Sequence, residues 1–187
     1  MKKKNMKLRI ICALIFLGFS GLVMFSIYSF SAESGEVSNL RSETVTEKIK
    51  EEVKNTLETT PEGILLSEKI KYYIILHSPY GSNWNANVRK FAHFSIYFCL
   101  ATMVYITLAI LGVNKFTRFI LTVGFCFCFA FGDEYHQKLT ANRTSSMNDV
   151  YLDTFGSFVA TSIWTIISII YSGIAWIVRQ IKEAYKS

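Results

Sequence analysis

Three groups of polar residues interrupt a sequence that is otherwise largely apolar. They are Arg89, Lys90 and His93; Asp133, Glu134, His136 and Gln137; and Asn142, Arg143, Asp149 and Asp153. Arg89, Lys90 and Arg143 are suited to gripping a phosphate or carboxylate, the arginines bidentately. Glu134 with His93 is a candidate general acid–base pair, for instance for hydrolysis of a lipid-linked substrate. His93, Asp133 or Glu134, His136 and Asp149 are metal-ligand types. No spacing among them resembles H-E-x-x-H or another strong ligand motif, so no metal and no cofactor is assigned. The chain has no G-x-S-x-G, no S-x-x-K and no nucleophile beside an evident base, which weighs against an enzyme. A fourth reading is structural: the groups pair across helices and set their register. Intramembrane hydrogen bonds contribute only about 0.6 kcal/mol on average. A charge at the centre of a spanning helix costs roughly 2.5–3.5 kcal/mol on insertion scales. That imbalance favours a functional role for Arg89, Lys90, His93, Asp133, Glu134, Gln137, Arg143, Asp149 and Asp153 as a binding site.

Helical spacing groups these residues further. Arg89, His93 and Tyr97 lie four apart and share one face, as do Asp133 and Gln137. Asp149, Asp153, Gly156 and Ala160 form one stripe, whose small members allow close helix approach in lipid. Ser146 and Asp149 match a capping box, which predicts a helix start there. His136 reads as a surface residue.

The elements that must position these residues are apolar runs. Of 187 residues 51% are hydrophobic, and only two are proline, which favours membrane helices over a loop-rich β protein. Four runs approach the ~20 residues needed to cross a hydrocarbon core: Leu8 to Phe30, Phe91 to Val113, Phe116 to about Phe131, and Asp153 to Val178. The first is longer than the usual ~7–15 residue signal core, and bulky Phe30 stands where a cleavage site needs a small side chain, so it reads as an uncleaved span. With the N-terminus in the cytoplasm, ten basic residues and only one acid, Glu183, fall on the inner side. The positive-inside rule therefore places both termini inside and all three polar groups outside. The net charge of +6 thus reports topology and does not indicate nucleic-acid binding. Counting ~1.5 Å per residue from the inner boundary puts His93 at the outer edge and Asp153 about a turn above it. Asp133 and Glu134 fall ~6–8 Å inside that edge. Acids at that depth need partners or water, and His93, Arg89, Lys90 and Arg143 are the available partners.

Between the first two spans, Val45, Ile49, Val53 and Leu57 recur every four residues in a charged setting, predicting an amphipathic helix. Pro61 and Gly63 break it. A second pattern, Leu66, Ile70, Tyr73, Ile74 and His77, predicts another helix, ended by Ser78 to Gly81. Together they read as a helical hairpin closing the bundle, or as a substrate lid. The second helix is also apolar enough to rest on the outer leaflet. All four cysteines lie in apolar runs, and Cys126 and Cys128 read as small packing residues rather than a disulfide or zinc pair.

Val88, Arg89, Lys90, Ala92, His93, Phe94 and Tyr97, then Asp133, Glu134, His136 and Gln137, then Asn142, Arg143, Asp149, Val150, Asp153, Thr154 and Gly156, follow one another in an order and spacing that resemble the VanZ-like family of bacterial membrane proteins. The serine-rich stretch from Ser29 to Ser38 is similar too. The resemblance runs from about Leu8 to Ala160. Two positions depart from it: Asn142 stands where many relatives have glycine, and Asp153 where many have asparagine. The resemblance implies a small integral membrane protein of Gram-positive type bacteria and a link to teicoplanin resistance. It implies no biochemical mechanism.

The expectation is an all-α, four-span membrane bundle in the bacterial plasma membrane, with both termini cytoplasmic. Its segments are a basic terminus and first span (1–30), an external helical segment (31–88), a core of three spans (89–178) and a basic tail (179–187). The outward pocket is expected to recognise an anionic or lipid-linked envelope component, such as a cell-wall precursor or a glycopeptide. An intramembrane hydrolase of such precursors and a non-catalytic accessory subunit are the alternatives.

Overall fold

The computed structural model describes residues 3–185 except Pro79 and Thr144, with side chains from Met6 onward. Lys2 and Lys186 of the basic ends lie outside the described residues. Six helices and no strand are present among those described: α1 (Lys3–Ser31), α2 (Gly35–Thr56), α3 (Pro61–His77), α4 (Trp84–Leu111), α5 (Lys115–Lys138) and α6 (Met147–Ala184). Four of them, α1, α4, α5 and α6, are long and apolar enough to cross a membrane. Each corresponds to one of the expected runs.

The helices outrun the apolar stretches. α4 begins seven residues before Phe91, carrying Arg89 and Lys90 in its second turn, and α6 continues to Ala184. At 38 residues α6 is about 57 Å long, well beyond a ~30 Å hydrocarbon core. Hydropathy marks where lipid contact ends, whereas helix ends are set by caps. Asn83, Asn114 and Ser146 cap α4, α5 and α6 through their side chains, and Gly112 ends α4 in the left-handed region at φ 87°. α2 likewise starts ten residues before the Val45 pattern, behind the Ser34 cap. Pro61 does separate the two hairpin helices, but as the first residue of α3, where its missing N–H costs nothing.

α4 is the central helix. It packs against α6, α1, α5 and α2, while α5 also packs on α6. The apolar core is narrow: Tyr97, Leu100, Ala101, Tyr105, Cys126, Ala130, Val150 and Ala160 are buried. Ser157, Thr122 and Thr161 are fully buried beside them, and residues such as Leu14, Phe25, Phe116 and Ile166 face outward. This distribution suits lipid, where apolar side chains gain nothing by hiding and small residues bring backbones together. Gly156 is the clearest case. A Cβ there would stand 2.5 Å from the carbonyl oxygen of Phe94, so the approach of α6 to α4 at this point requires glycine. Cys126 is in the core as expected, whereas Cys128 and Cys99 are exposed.

Candidate functional site

The antiparallel run of spans brings the three polar groups to one end of the bundle. Arg89, Lys90, His93, Gln137, Arg143 and Asp149 line a single polar cavity of about 180 Å³, together with Gly35, Ser38, Asn39 and Asn142. An adjoining cavity of about the same volume shares Ser38, Arg89, His93 and Arg143 with it. Its remaining wall is mostly apolar, including Ile27, Phe30, Val45, Val88 and Ile96 from α1, α2 and α4.

The acids of the site have partners of their own. Asp133 is buried near the end of α5 and accepts from the Ser31 hydroxyl and from Gln137 Nε2 (3.0 Å), which also reaches Ser31 Oγ (3.2 Å). Lys90 and Asp149 form an ion pair that joins α4 to the start of α6. His93 Nδ1 lies 3.6 Å from Asp153 Oδ2, and Asp153 Oδ1 is buried without a hydrogen-bond partner. Glu134 Oε1 accepts the backbone N–H of Ser146 at 2.5 Å. Ser146 is thus the α6 cap, as its spacing predicts. The acid that answers it comes from α5, however, while Asp149 turns to Lys90.

The two arginines differ from these groups. Arg89 Nη1 donates to Asn39 Oδ1 at 2.5 Å. Arg143 Nη2 donates to Ser38 Oγ at 2.8 Å, and Nη1 reaches the Ser31 carbonyl at 3.5 Å. Neither guanidinium forms an ion pair among the described residues. Burial lowers the Arg143 pKa from its usual value, and the Arg89 charge lowers it further; Asp133, Glu33 and Glu134 act in the opposite sense from a distance. Guanidinium does not deprotonate in proteins. Burial is the larger cause, so this cation is held at a desolvation cost to which the Arg89 charge adds.

The loop that carries Arg143 is held against α2. Gly35 N donates to the Ala141 carbonyl (3.1 Å), and a Cβ on Gly35 would come within 1.9 Å of the Asn142 carbonyl oxygen, so α2 can dock here only through glycine. Asn142 has φ 56°, a left-handed backbone that asparagine tolerates and glycine adopts freely. Glycine, which the resemblance leads one to expect at this position, would meet the same backbone requirement. Its side chain donates to Glu36 Oε1 (3.2 Å).

Sequence spacing located the polar groups but missed the shell from α1 and α2. Ser31, Ser38, Asn39 and Gly35 supply most of the neutral contacts. The available signal was a run of serines emerging from an apolar helix. The partners expected for Asp133 and Glu134 were cations, and the structure instead supplies neutral donors, because α1 ends beside α5 and α6 begins beside it. Glu134 and His93 share no hydrogen bond or ion pair among the described residues, and Glu134 lines neither cavity. No three His, Cys, Asp or Glu side chains converge as a metal-binding group among the described residues. His136, read as a surface residue, instead packs its ring 4.6 Å from that of Tyr28.

Four apolar spans enclosing a narrow, partly polar core, with the three polar groups gathered at one end, define a multi-pass helical membrane protein. A family model described as VanZ/LLP1 matches residues 16–168, from the middle of α1 to just past the middle of α6, and takes in every residue of the site. The chain belongs to the VanZ/LLP1 family. No curated protein and no solved structure matches it.

Proposed function

We propose that the protein is a VanZ-like component of the bacterial plasma membrane, with cytoplasmic termini, that recognises an anionic group on a lipid-linked envelope component at its outer face. One observation carries the reading: Arg89 and Arg143 line the same polar cavity, and neither is paired with a carboxylate. Two half-buried cations that repel one another are stabilised by an anion between them, and a phosphate accepts from both forks. The adjoining apolar cavity suits the chain of an amphiphile, and the exposed apolar residues of α3 suit contact with the outer leaflet. Asp133, Glu134 and Gln137 hold the walls of the site. A contribution to teicoplanin tolerance follows if the bound component is a cell-wall precursor.

The test is binding of a long-chain isoprenoid phosphate to purified protein, followed by native mass spectrometry. The unsubstituted protein is expected to retain the lipid, and Arg143→Gln and Arg89→Gln each to lose about tenfold in affinity, as for a charge-assisted hydrogen bond. Equal retention of the lipid by the double variant would overturn the reading. The teicoplanin link is tested separately, in cells. Unchanged susceptibility on both deletion and overexpression would remove it.

A further inference from the structure

The opposite end of the bundle, where α5 begins, carries a second cationic cavity. Its volume is about 350 Å³, and its wall includes Tyr105, Lys115, Arg118, Trp164, Ser168 and Tyr171. Arg118 is only 7% exposed. Its side chain makes no hydrogen bond or ion pair among the described residues, and Nε is buried without a partner. What it does have is the Tyr105 ring, 4.5 Å from the guanidinium carbon. The ring is fixed in place, since the Tyr105 hydroxyl accepts from Thr165 Oγ1 (3.1 Å) and donates to Ser168 Oγ (3.4 Å).

The electrostatics of this end are one-sided. Lys115 and Arg118 occupy the first turn of α5, where the helix dipole is already positive and no acidic residue is present. Arg9 is directed elsewhere, with Nε donating to the Ile110 carbonyl at the end of α4 (2.9 Å). A buried guanidinium and a neighbouring ammonium, at the positive end of a helix dipole, form an anion site that lacks its anion. Its floor includes Ile106 and Ile167, and the surrounding surface is apolar, with Ile166, Ile170 and Tyr171 exposed. A water-soluble anion would enter across lipid-facing surface, whereas a phospholipid already lies there. We infer that this cavity binds the phosphate of an anionic phospholipid from the leaflet at the α5 start, with Arg118 and Lys115 on the phosphate oxygens and Trp164 and Tyr171 beside the glycerol. The inference is independent of the Arg89–Arg143 site.

Trp164 provides a local readout. In a Trp84→Phe, Trp176→Phe background it is the sole tryptophan. Brominated phosphatidylglycerol and brominated phosphatidylcholine are compared as quenchers of its fluorescence, at equal mole fraction in nanodiscs. The expected result is an apparent affinity for phosphatidylglycerol higher by about fivefold per cation engaged. Lys115→Gln and Arg118→Gln should each remove part of this selectivity and the double variant all of it, while Arg118→Lys restores some of what Arg118→Gln loses and Arg143→Gln leaves it intact. Millimolar inorganic phosphate should not alter the selectivity; abolition by phosphate would assign the cavity to a soluble anion and overturn the lipid assignment. Equal quenching by the two lipids, or selectivity undiminished in Lys115→Gln and Arg118→Gln, would overturn the proposal outright. Because Lys115 is partly exposed, its variant keeps the test decisive should Arg118→Gln fail to fold.

Discussion

Asp133 and Arg143 come from neighbouring polar clusters and lie at the same end of the bundle, yet they are placed very differently. Asp133 receives hydrogen bonds from Ser31 and Gln137, and their shared contacts with Ser31 tie α1 to α5. Arg143 and its companion Arg89 receive only neutral partners and face a cavity. A satisfied polar group holds a structure together, whereas an uncompensated cation at a cavity costs free energy until an anion arrives. The difference separates residues that build the site from residues available to a ligand, though residue type and spacing look alike for both.

Four measurements would break or sharpen that contrast. The largest effect is expected for Asp133→Ala, which leaves the buried Ser31 hydroxyl and Gln137 amide short of an acceptor. A loss of about 3 kcal/mol in unfolding free energy is expected from denaturant titration in detergent, with Asp133→Asn losing less. Next comes the Arg89→Gln, Arg143→Gln double variant, whose binding of an isoprenoid phosphate should fall about a hundredfold by titration. Its thermal midpoint without lipid should stay level or rise, because two like charges have been removed. A fall as large as that of Asp133→Ala would make the arginines structural too. Third, Gly156→Ala pushes a Cβ against the Phe94 carbonyl and should cost about 2 kcal/mol, without changing lipid preference per folded molecule. The smallest effect is at the loop below Arg143. Asn142→Ala should destabilise by about 1 kcal/mol and Asn142→Gly by less, since the left-handed backbone penalises a Cβ. Equal costs for the two would mean that the Glu36 contact, rather than backbone conformation, selects asparagine.

Much of the architecture was legible in the sequence. The four spans follow from lengths of apolar sequence, and the Val45 to Leu57 period found part of α2. The grouping of Arg89, His93 and Asp153 followed from helical spacing and the alternation of spans. The partners were less legible. Ser146 pairs with Glu134 of α5 rather than with Asp149 of its own helix, a choice that spacing within α6 does not reveal. Ser31 was visible as a serine in a greasy run, but its role depends on α1 ending at the height of Asp133.

By itself the sequence determined that the chain is helical, that four helices are long and apolar enough to span a membrane, and that its charged residues gather at their ends. These follow from local quantities: hydropathy over ~20 residues, side-chain period and capping residues. Only the tertiary structure decided which charges are satisfied. Lengths and periods fix the height and face of a residue but not the rotation and separation of neighbouring helices. A hydrogen bond is made or lost over about an ångström, and here that distance is set by close contacts such as Gly156 on Phe94 and Gly35 on Asn142.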